Sequence, residues 1–387
     1  MTATWASVRE CPLKALAAMS PGTTNGPRDR IRRFVGGLEC LGPVAERVLT
    51  LRELNRATLA RQLLLHRTRL SPTAVIERLV GMQAQSPQAP YVGIWTRTTG
   101  FRRRSLERLL RQSAIVRATA TRQTLHLVTP RDYALIWAAM SETNFPWETE
   151  RAKQLALSVR ALAADRPVTS TEAIAQLESE YGLAGVDARR AWRMARVAAL
   201  IVHHHETALW QPRNDRRFVA IAEPQPHVPV EARAEIFRRY LAAFGPSTRR
   251  DIGAWSRMRV AEIDASLELL EPLRRFRDEQ GRELLDVPRA PLPDADTPAP
   301  ARFLPKWDNV LLAWADRTRV LPEAYRKTVI KVNGDVAQTF LVDGFVAGIW
   351  RVDDGRVVLE PFEPLSAAAR REIEDEAGRL EAFLAET

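Results

Sequence analysis

Ile115-Val116-Arg117-Ala118-Thr119-Ala120-Thr121-Arg122-Gln123-Thr124-Leu125-His126-Leu127-Val128 is the stretch on which the fold turns. Its alternation and its β-branched Val116, Thr119, Thr121 and Thr124 predict two short strands closed into a hairpin. Working upstream, Leu51, Leu54, Leu59, Leu63 and Leu64 recur at helical spacing, and Ser71-Pro72 caps a second helix carrying Val75, Ile76, Leu79 and Val80. A third helix is predicted from Ser105 to Gln112. Three helices followed by a hairpin is the order of a winged helix.

The pattern recurs downstream. Helices are predicted over Ser170 to Leu177 and Asp187 to Val202, the second with Asp187 as N-cap, followed by a hairpin holding Leu209-Trp210 and Phe218 to Ile221. After the Pro-rich break at Glu223 to Pro229, a helix from Val230 to Ala243 leads to Ser247 or Thr248 as the next N-cap, opening a third helix-turn-helix unit that ends near Val287. Residues 288–300, with five prolines, read as a linker. Short strands follow at Val329 to Val332, Thr339 to Val342, Phe345 to Arg351 and Arg356 to Pro361. Asn333-Gly334, Asp343-Gly344 and Asp354-Gly355 are hairpin dipeptides between them, and an amphipathic helix closes the chain from Ser366 to Leu384. The expected organisation is thus a disordered extension or overcalled start at 1–48, winged helix 1 with its connecting helices at 49–165, winged helix 2 at 166–222, winged helix 3 at 230–287, the linker, and a small β-meander or barrel at 301–387. The fold class is α+β.

The formal net charge of +10 and a pI near 10.2 point to a polyanionic partner. Only Lys14, Lys153, Lys306, Lys327 and Lys331 are lysine, so the positive charge is almost all Arg, which binds phosphate bidentately. A GC-rich genome also writes Arg for Lys, and it takes the larger share of the explanation. Cys11 and Cys40 are the only cysteines, which supports neither a disulfide framework nor a thiolate zinc site and fits a reducing cytoplasm. No apolar run approaches about 18 residues, so no membrane span is expected.

One local feature carries chemistry. In Gly81-Met82-Gln83-Ala84-Gln85-Ser86-Pro87 two carboxamides flank an alanine at a break in a helical pattern, and an extended backbone would send both to one side, where they could grip a water. Alone, such a tripeptide is more often a solvated helix end. Four separated blocks change its weight: Leu79 to Gly93, Arg122 to Val128, Ala243 to Thr248, and Leu304-Pro305-Lys306-Trp307-Asp308-Asn309-Val310-Leu311-Leu312 with its continuation through Asp316 to Pro322 and Leu341 to Gly344. Together, over roughly residues 49 to 385, the chain resembles the bacterial winged-helix family that includes AlkZ-type and YcaQ-type DNA glycosylases. The resemblance implies tandem winged helices in a C-shaped arrangement with double-stranded DNA in the basic concave face, and excision of N-alkylated purines, including bulky adducts and interstrand crosslinks. It also implies an active site at the Gln-apolar-Gln motif, matched by Gln83-Ala84-Gln85. The YcaQ-like branch has Asp at the second polar position, so the Gln here places the chain with the AlkZ-like branch. Gln123 stands where many relatives have Gly, which puts the shape of that hairpin at issue.

A carboxamide is no strong base, but its carbonyl accepts and its amide donates, so two of them can orient a water. Glycosidases acting on neutral leaving groups need a carboxylic acid. An N7-alkylated purine is already cationic and departs as a neutral base, so the motif suits that lesion and not uracil or undamaged bases. Such a substrate also needs no deep flipping, and a shallow, open site is expected. Asp132 and Glu77 are the carboxylates near in sequence, though both also suit exposed helix ends. The expected catalytic pair is Gln83 and Gln85. The expected DNA contacts are Arg102, Arg103, Arg104, Arg117, Arg122, His126, Arg249 and Arg250, the Arg runs because they precede predicted helices; His126 reads equally as a buried hydrogen-bonded residue. Charge runs are usually solvated faces. His203-His204-His205 are adjacent and do not converge on one ion, so no metal is expected. No cofactor is implied, and with no Lys near the motif a monofunctional enzyme is expected, as a cytoplasmic, nucleoid-associated monomer. The rival from another class is a non-catalytic winged-helix DNA-binding protein, a regulator or a damage-binding scaffold.

Overall fold

The computed structural model describes residues 46–144, 150–222 and 227–386. The expectation for the first 48 residues, and both cysteines, fall almost wholly outside them; Val48 already lies in β1 (Val48–Leu49), which runs parallel to a strand of the third helical unit. The fold is mixed α and β.

The first helix, Leu51–Arg61, starts where Thr50 and Glu53 form a reciprocal capping box, the Thr50 hydroxyl accepting from Glu53 N at 3.2 Å and the Glu53 carboxylate accepting from Thr50 N at 2.8 Å. Ser71 caps Pro72–Arg78 as its sequence signals. The chain then turns into β2 (Met82–Gln83), passes through helices Ala89–Trp95 and Arg103–Arg111, and forms the hairpin β3 (Val116–Thr119) and β4 (Leu125–Val128). Helices Pro130–Asn144 and Glu150–Asp165 lead to β5 (Val168–Thr169), helices Ser170–Tyr181 and Gly185–Ala198, and the hairpin β6 (Ile201–His203) and β7 (Arg217–Ala220).

Three expectations are corrected in this part of the chain and the next. Asp187 lies in the first turn rather than at the N-cap, which is Ala184. The helix stops at Ala198 because Leu200 takes a left-handed φ of 54°, and Ile201–His203 become a strand that pairs with β7; Leu209-Trp210 belong to neither. In the C-terminal part, Val329–Val332 is a short helix end and a single bridge, Ile330 to Val336, rather than a strand.

Helices Pro229–Phe244, Arg249–Ser256 and Val260–Leu267 precede the hairpin β8 (Arg274–Asp278) and β9 (Glu283–Asp286), with Thr248 as the N-cap of the middle helix. The C-terminal part is a four-stranded antiparallel sheet in the order β10 (Arg302–Leu304), β11 (Thr339–Val342), β12 (Phe345–Asp353), β13 (Arg356–Pro361), covered by helix Ala367–Leu384.

Two long-range features position the site. The first two hairpins, with β2 and β5 at the edges, form one six-stranded sheet, β2-β4-β3-β6-β7-β5, stitched at the pairing of Arg117 with His203. The core also ignores chain order: Val75, Ile76, Met82 and Tyr91 pack in one cluster with Phe303, Phe340, Trp350 and Phe383. Residues 288–300 are pinned from below by the first helix, whose Arg52, Arg56 and Arg61 donate to the carbonyls of Ala295, Thr297 and Pro291 at 2.9, 2.6 and 3.0 Å.

Candidate active site

The glutamine motif sits at the edge of the six-stranded sheet. Gln83 pairs with His126 in β4, and Ala84 N donates to Leu125 O at 2.7 Å, so the backbone is extended. Met82 and Ala84 turn into the core while Gln85 is exposed, as the two-residue period requires. Gln83 is 6% exposed. The approach to the strand is a tight turn: Val80 and Gly81 have φ of 56° and 87°. Gly81 is needed there, since a Cβ would come within 2.9 Å of Val128 Cγ1. Val80, a β-branched residue in the left-handed region, is backbone strain in the sense that marks functional sites.

The Gln83 side chain has a fixed orientation. Its Oε1 accepts from Arg122 Nη2 at 3.2 Å and lies 3.4 Å from the Thr124 hydroxyl. Arg is donor-only, so the carboxamide must face it with oxygen, which aims the amide nitrogen the other way. Gln85 Oε1 meets only Leu125 N, at a long 3.5 Å. The pair thus presents one N–H end and one lightly engaged carbonyl.

Arg122 and Gln123 form the tip of the β3–β4 hairpin, both left-handed, with φ of 56° and 58°. The position expected to carry Gly in relatives therefore keeps a glycine-like backbone with Gln in it. Arg122 also donates to Trp255 O at 3.3 Å, and burial, reinforced by Arg257 and Arg317, pulls its guanidinium down to about 10, still a cation at neutral pH. Arg117 lies inside, where Nε donates to Ala84 O at 3.0 Å, Nη2 to Gln85 O at 3.3 Å and Nη1 to Thr207 O at 2.9 Å. Burial holds Arg117 at about 10 as well.

His126 resolves toward the buried alternative. Nδ1 donates to Thr124 O at 2.9 Å, which leaves Nε2 to accept from the Thr121 hydroxyl at 3.1 Å. Burial first, and the Arg122 charge second, push it from 6.5 down to about 3. An unfolded histidine protonates near pH 6.5, so below that value the unfolded state binds more protons. Stability from keeping His126 neutral is complete above about pH 6.5 and is lost as pH falls toward 3. Denaturant titrations across that window are expected to show a steeper loss for wild type than for His126→Gln; parallel slopes would remove His126 from the account.

The remaining expected residues divide between surface and interior. Arg102, Arg104 and Arg250 are exposed. Arg103 lies over the Trp210 ring at 4.6 Å, and Arg249 is ion-paired with Asp264 at 2.7 Å and with Glu283. As DNA contacts, then, the interior Arg117 and His126 are corrected to internal supports of the glutamine strand, and Arg103, as buried as Arg117, to packing on Trp210. Asp132 is ion-paired to Arg239 at 2.8 Å and Glu77 to Arg131 at 3.0 Å, so neither stands as an unpaired carboxylate. His203 is buried against Phe218, with ring centroids 4.6 Å apart, and no group of three potential metal ligands occurs among the described residues.

Asn309 was not singled out by sequence reasoning, although it stands in one of the quoted blocks. Its amide donates to Gly81 O at 2.7 Å and Leu79 O at 3.3 Å, and its Oδ1 accepts from Gln83 N at 3.4 Å. Its neighbour Asp308 is held by Arg97 in a bidentate pair at 2.8 and 2.9 Å, both side chains essentially unexposed. Beneath the turn, a cavity of about 10 Å³ touches Gly81, Arg122, His126 and Asn309. That is room for about one water.

A family model described as DNA glycosylase AlkZ-like matches residues 76–383. The chain is 24% identical over 358 residues to an interstrand DNA cross-link repair glycosylase of Streptomyces sahachiroi, an alignment spanning 83% of this chain and 92% of that protein. The solved structure of the Streptomyces sahachiroi DNA glycosylase AlkZ matches with a TM-score of 0.74 and 21% identity, over 88% of this chain and 98% of that one, a likeness of fold. No helix among the described residues is long and apolar enough to cross a membrane.

Proposed function

Because the chain belongs to the AlkZ-like DNA glycosylase family, and so is a DNA repair glycosylase, we propose that it hydrolyses the N-glycosidic bond of cationic N-alkylated purines, N7-alkylguanines first, with Gln83 and Gln85 positioning the water. The observation that carries the reading is the orientation of the pair: Arg122 fixes the Gln83 carbonyl, leaving its amide to donate, while the Gln85 carbonyl, met by Leu125 N at 3.5 Å, keeps a lone pair to accept. A water held between them takes an N–H from Gln83 on one lone pair and gives one O–H to Gln85, so its other lone pair faces the anomeric carbon. The water oxygen bonds to C1′ as the C1′–N9 bond breaks. The bonding electrons stay on N9 and neutralise the cationic base, and the water's proton passes to solvent. Neither carboxamide need be a base, because the lesion supplies the leaving-group activation.

The family supports bulky adducts and crosslinks as substrates, and the name of the Streptomyces sahachiroi relative gives interstrand cross-link repair for that protein. The three runs of helices, each followed by a hairpin, are read as tandem winged helices at 49–165, 166–222 and 230–287, arranged in a C shape around the duplex, with the segment 288–300 leading into the C-terminal β-domain at 301–387. Arg102, Arg104 and Arg250, exposed at or near helix starts, suit phosphate contact. With no lysine near the motif in sequence, the enzyme is read as monofunctional. The protein would work as a cytoplasmic monomer at the nucleoid.

The test is a duplex oligonucleotide with one N7-methylguanine, assayed for free base and for an alkali-labile abasic site, beside an interstrand-crosslinked duplex and a uracil control. Release from the first and none from uracil is expected. Binding without release from either alkylated duplex would leave a DNA-binding protein and end the enzymatic reading.

A further inference from the structure

We infer that Asn309, delivered by the C-terminal part of the chain, is a positioning residue for the catalytic glutamine, holding the strained turn that aims Gln83. The inference rests on the proposed role of Gln83 and names what makes that role possible.

Three hydrogen bonds identify the function of this side chain. Nδ2 reaches Gly81 O at 2.7 Å and Leu79 O at 3.3 Å, and Oδ1 reaches Gln83 N at 3.4 Å. Two acceptors and one donor match the two ends of a carboxamide, so the orientation follows from the partners. The residues bridged, Leu79, Gly81 and Gln83, bracket Val80 and Gly81, the pair with left-handed φ. A β-branched residue in that region is strained and persists only where the surroundings over-determine it. Asn309 supplies part of that determination, because it engages Leu79 before the strained pair, Gly81 within it and Gln83 after it.

Asn309 is itself held firmly. The preceding residues carry a left-handed φ of 54° at Trp307, and Asp308 is locked by Arg97 and also accepts from Val310 N at 3.1 Å. The positioning group therefore has no freedom to follow the turn if the turn relaxes. It also leaves the reacting atoms to others, because its side-chain hydrogen bonds are all to backbone.

The experiment compares wild type, Asn309→Ala and Asn309→Asp under single turnover on the N7-methylguanine duplex, with enzyme in excess, together with affinity for the undamaged duplex and thermal unfolding. Asn309→Asp keeps the shape and the acceptor for Gln83 N but replaces the donor with a charged acceptor facing the carbonyls of Leu79 and Gly81, so the clasp is lost while the volume is kept. Both variants are expected to lose about 100-fold in the rate of base release, the scale of a small misplacement of a reacting group, with DNA affinity within about threefold of wild type and a folded transition retained. Asn309→Asp at the wild-type rate would show that Asn309 only fills space and would overturn the inference. Rate loss matched by equal loss of DNA affinity would overturn it too, by assigning Asn309 to binding. If wild type itself released no base, it would be the functional reading that fails.

Discussion

Gln83→Glu is expected to lose base release by about 100-fold or more, the scale for removal of one preorganised donor, whereas Gln85→Glu is expected to remain active. The asymmetry follows from one guanidinium. With Arg122 on its oxygen, Gln83 has only its N–H group to offer a water, and a carboxylate in its place has none. The new carboxylate would also pair with Arg122 and be drawn further from the substrate. Glu at position 85 keeps an acceptor where an acceptor is wanted, and adds a base. The double variant Gln83→Ala, Gln85→Ala is expected to be inactive while binding duplex DNA normally. Single-turnover rates on the N7-methylguanine duplex read all of this. An inactive Gln85→Glu beside an active Gln83→Glu would reverse the two roles, and activity in the double variant would move the site elsewhere.

Asp308→Ala is expected to destabilise the protein by about 3–5 kcal/mol, the cost of leaving one member of a buried pair uncompensated. Arg97 and Asp308 are 0% and 1% exposed, and the guanidinium is further committed to Gln62 O at 3.0 Å and Gly93 O at 2.9 Å. Removing the carboxylate leaves a cation with no exit to water. The pair gains little over apolar neighbours of equal volume, so Arg97→Met combined with Asp308→Leu should recover much of the loss. Recovery will be incomplete because Asp308 also accepts from Val310 N. Denaturant unfolding of the single and double variants measures the difference. A single-variant loss under about 1 kcal/mol, the range of an exposed pair, would mean that water reaches the pair.

The parts of the fold that local chemistry dictates were legible. Ser71 and Thr248 cap helices where the sequence puts caps. Asp343-Gly344 and Asp354-Gly355 take consecutive left-handed conformations, as a two-residue hairpin turn requires, and β11, β12 and β13 follow. Ile201–His203 was not legible, because a continuous apolar run after a helix gives no signal of change until one residue, Leu200, takes a positive φ. β10 was hidden for a different reason: its partner is β11, more than thirty residues on, and pairing at that distance leaves no periodic trace.

The site divides the same way. The extended glutamine motif is a local property, and the alternation of Met82 and Ala84 with Gln83 and Gln85 could be read directly. Burial is not local. Arg117, Arg122 and His126 read as basic residues near DNA, yet Arg117 and His126 lie in the interior, and Arg117 and Arg122 hold the motif through its backbone carbonyls and the Gln83 side chain. Asn309 carried no signal of its own, since the groups it holds are backbone and lie in another part of the chain.

That separation has a consequence in time. Asn309 bonds Gln83 across 226 residues, a span that a ribosome adding about 5–20 residues per second needs roughly 10 to 45 s to cross. Throughout that interval the glutamine strand can be made, folded against its hairpin and even presented to DNA, but its turn has no clasp. On the inference drawn for Asn309, base release is expected only from chains in which the last quarter of the protein has been made.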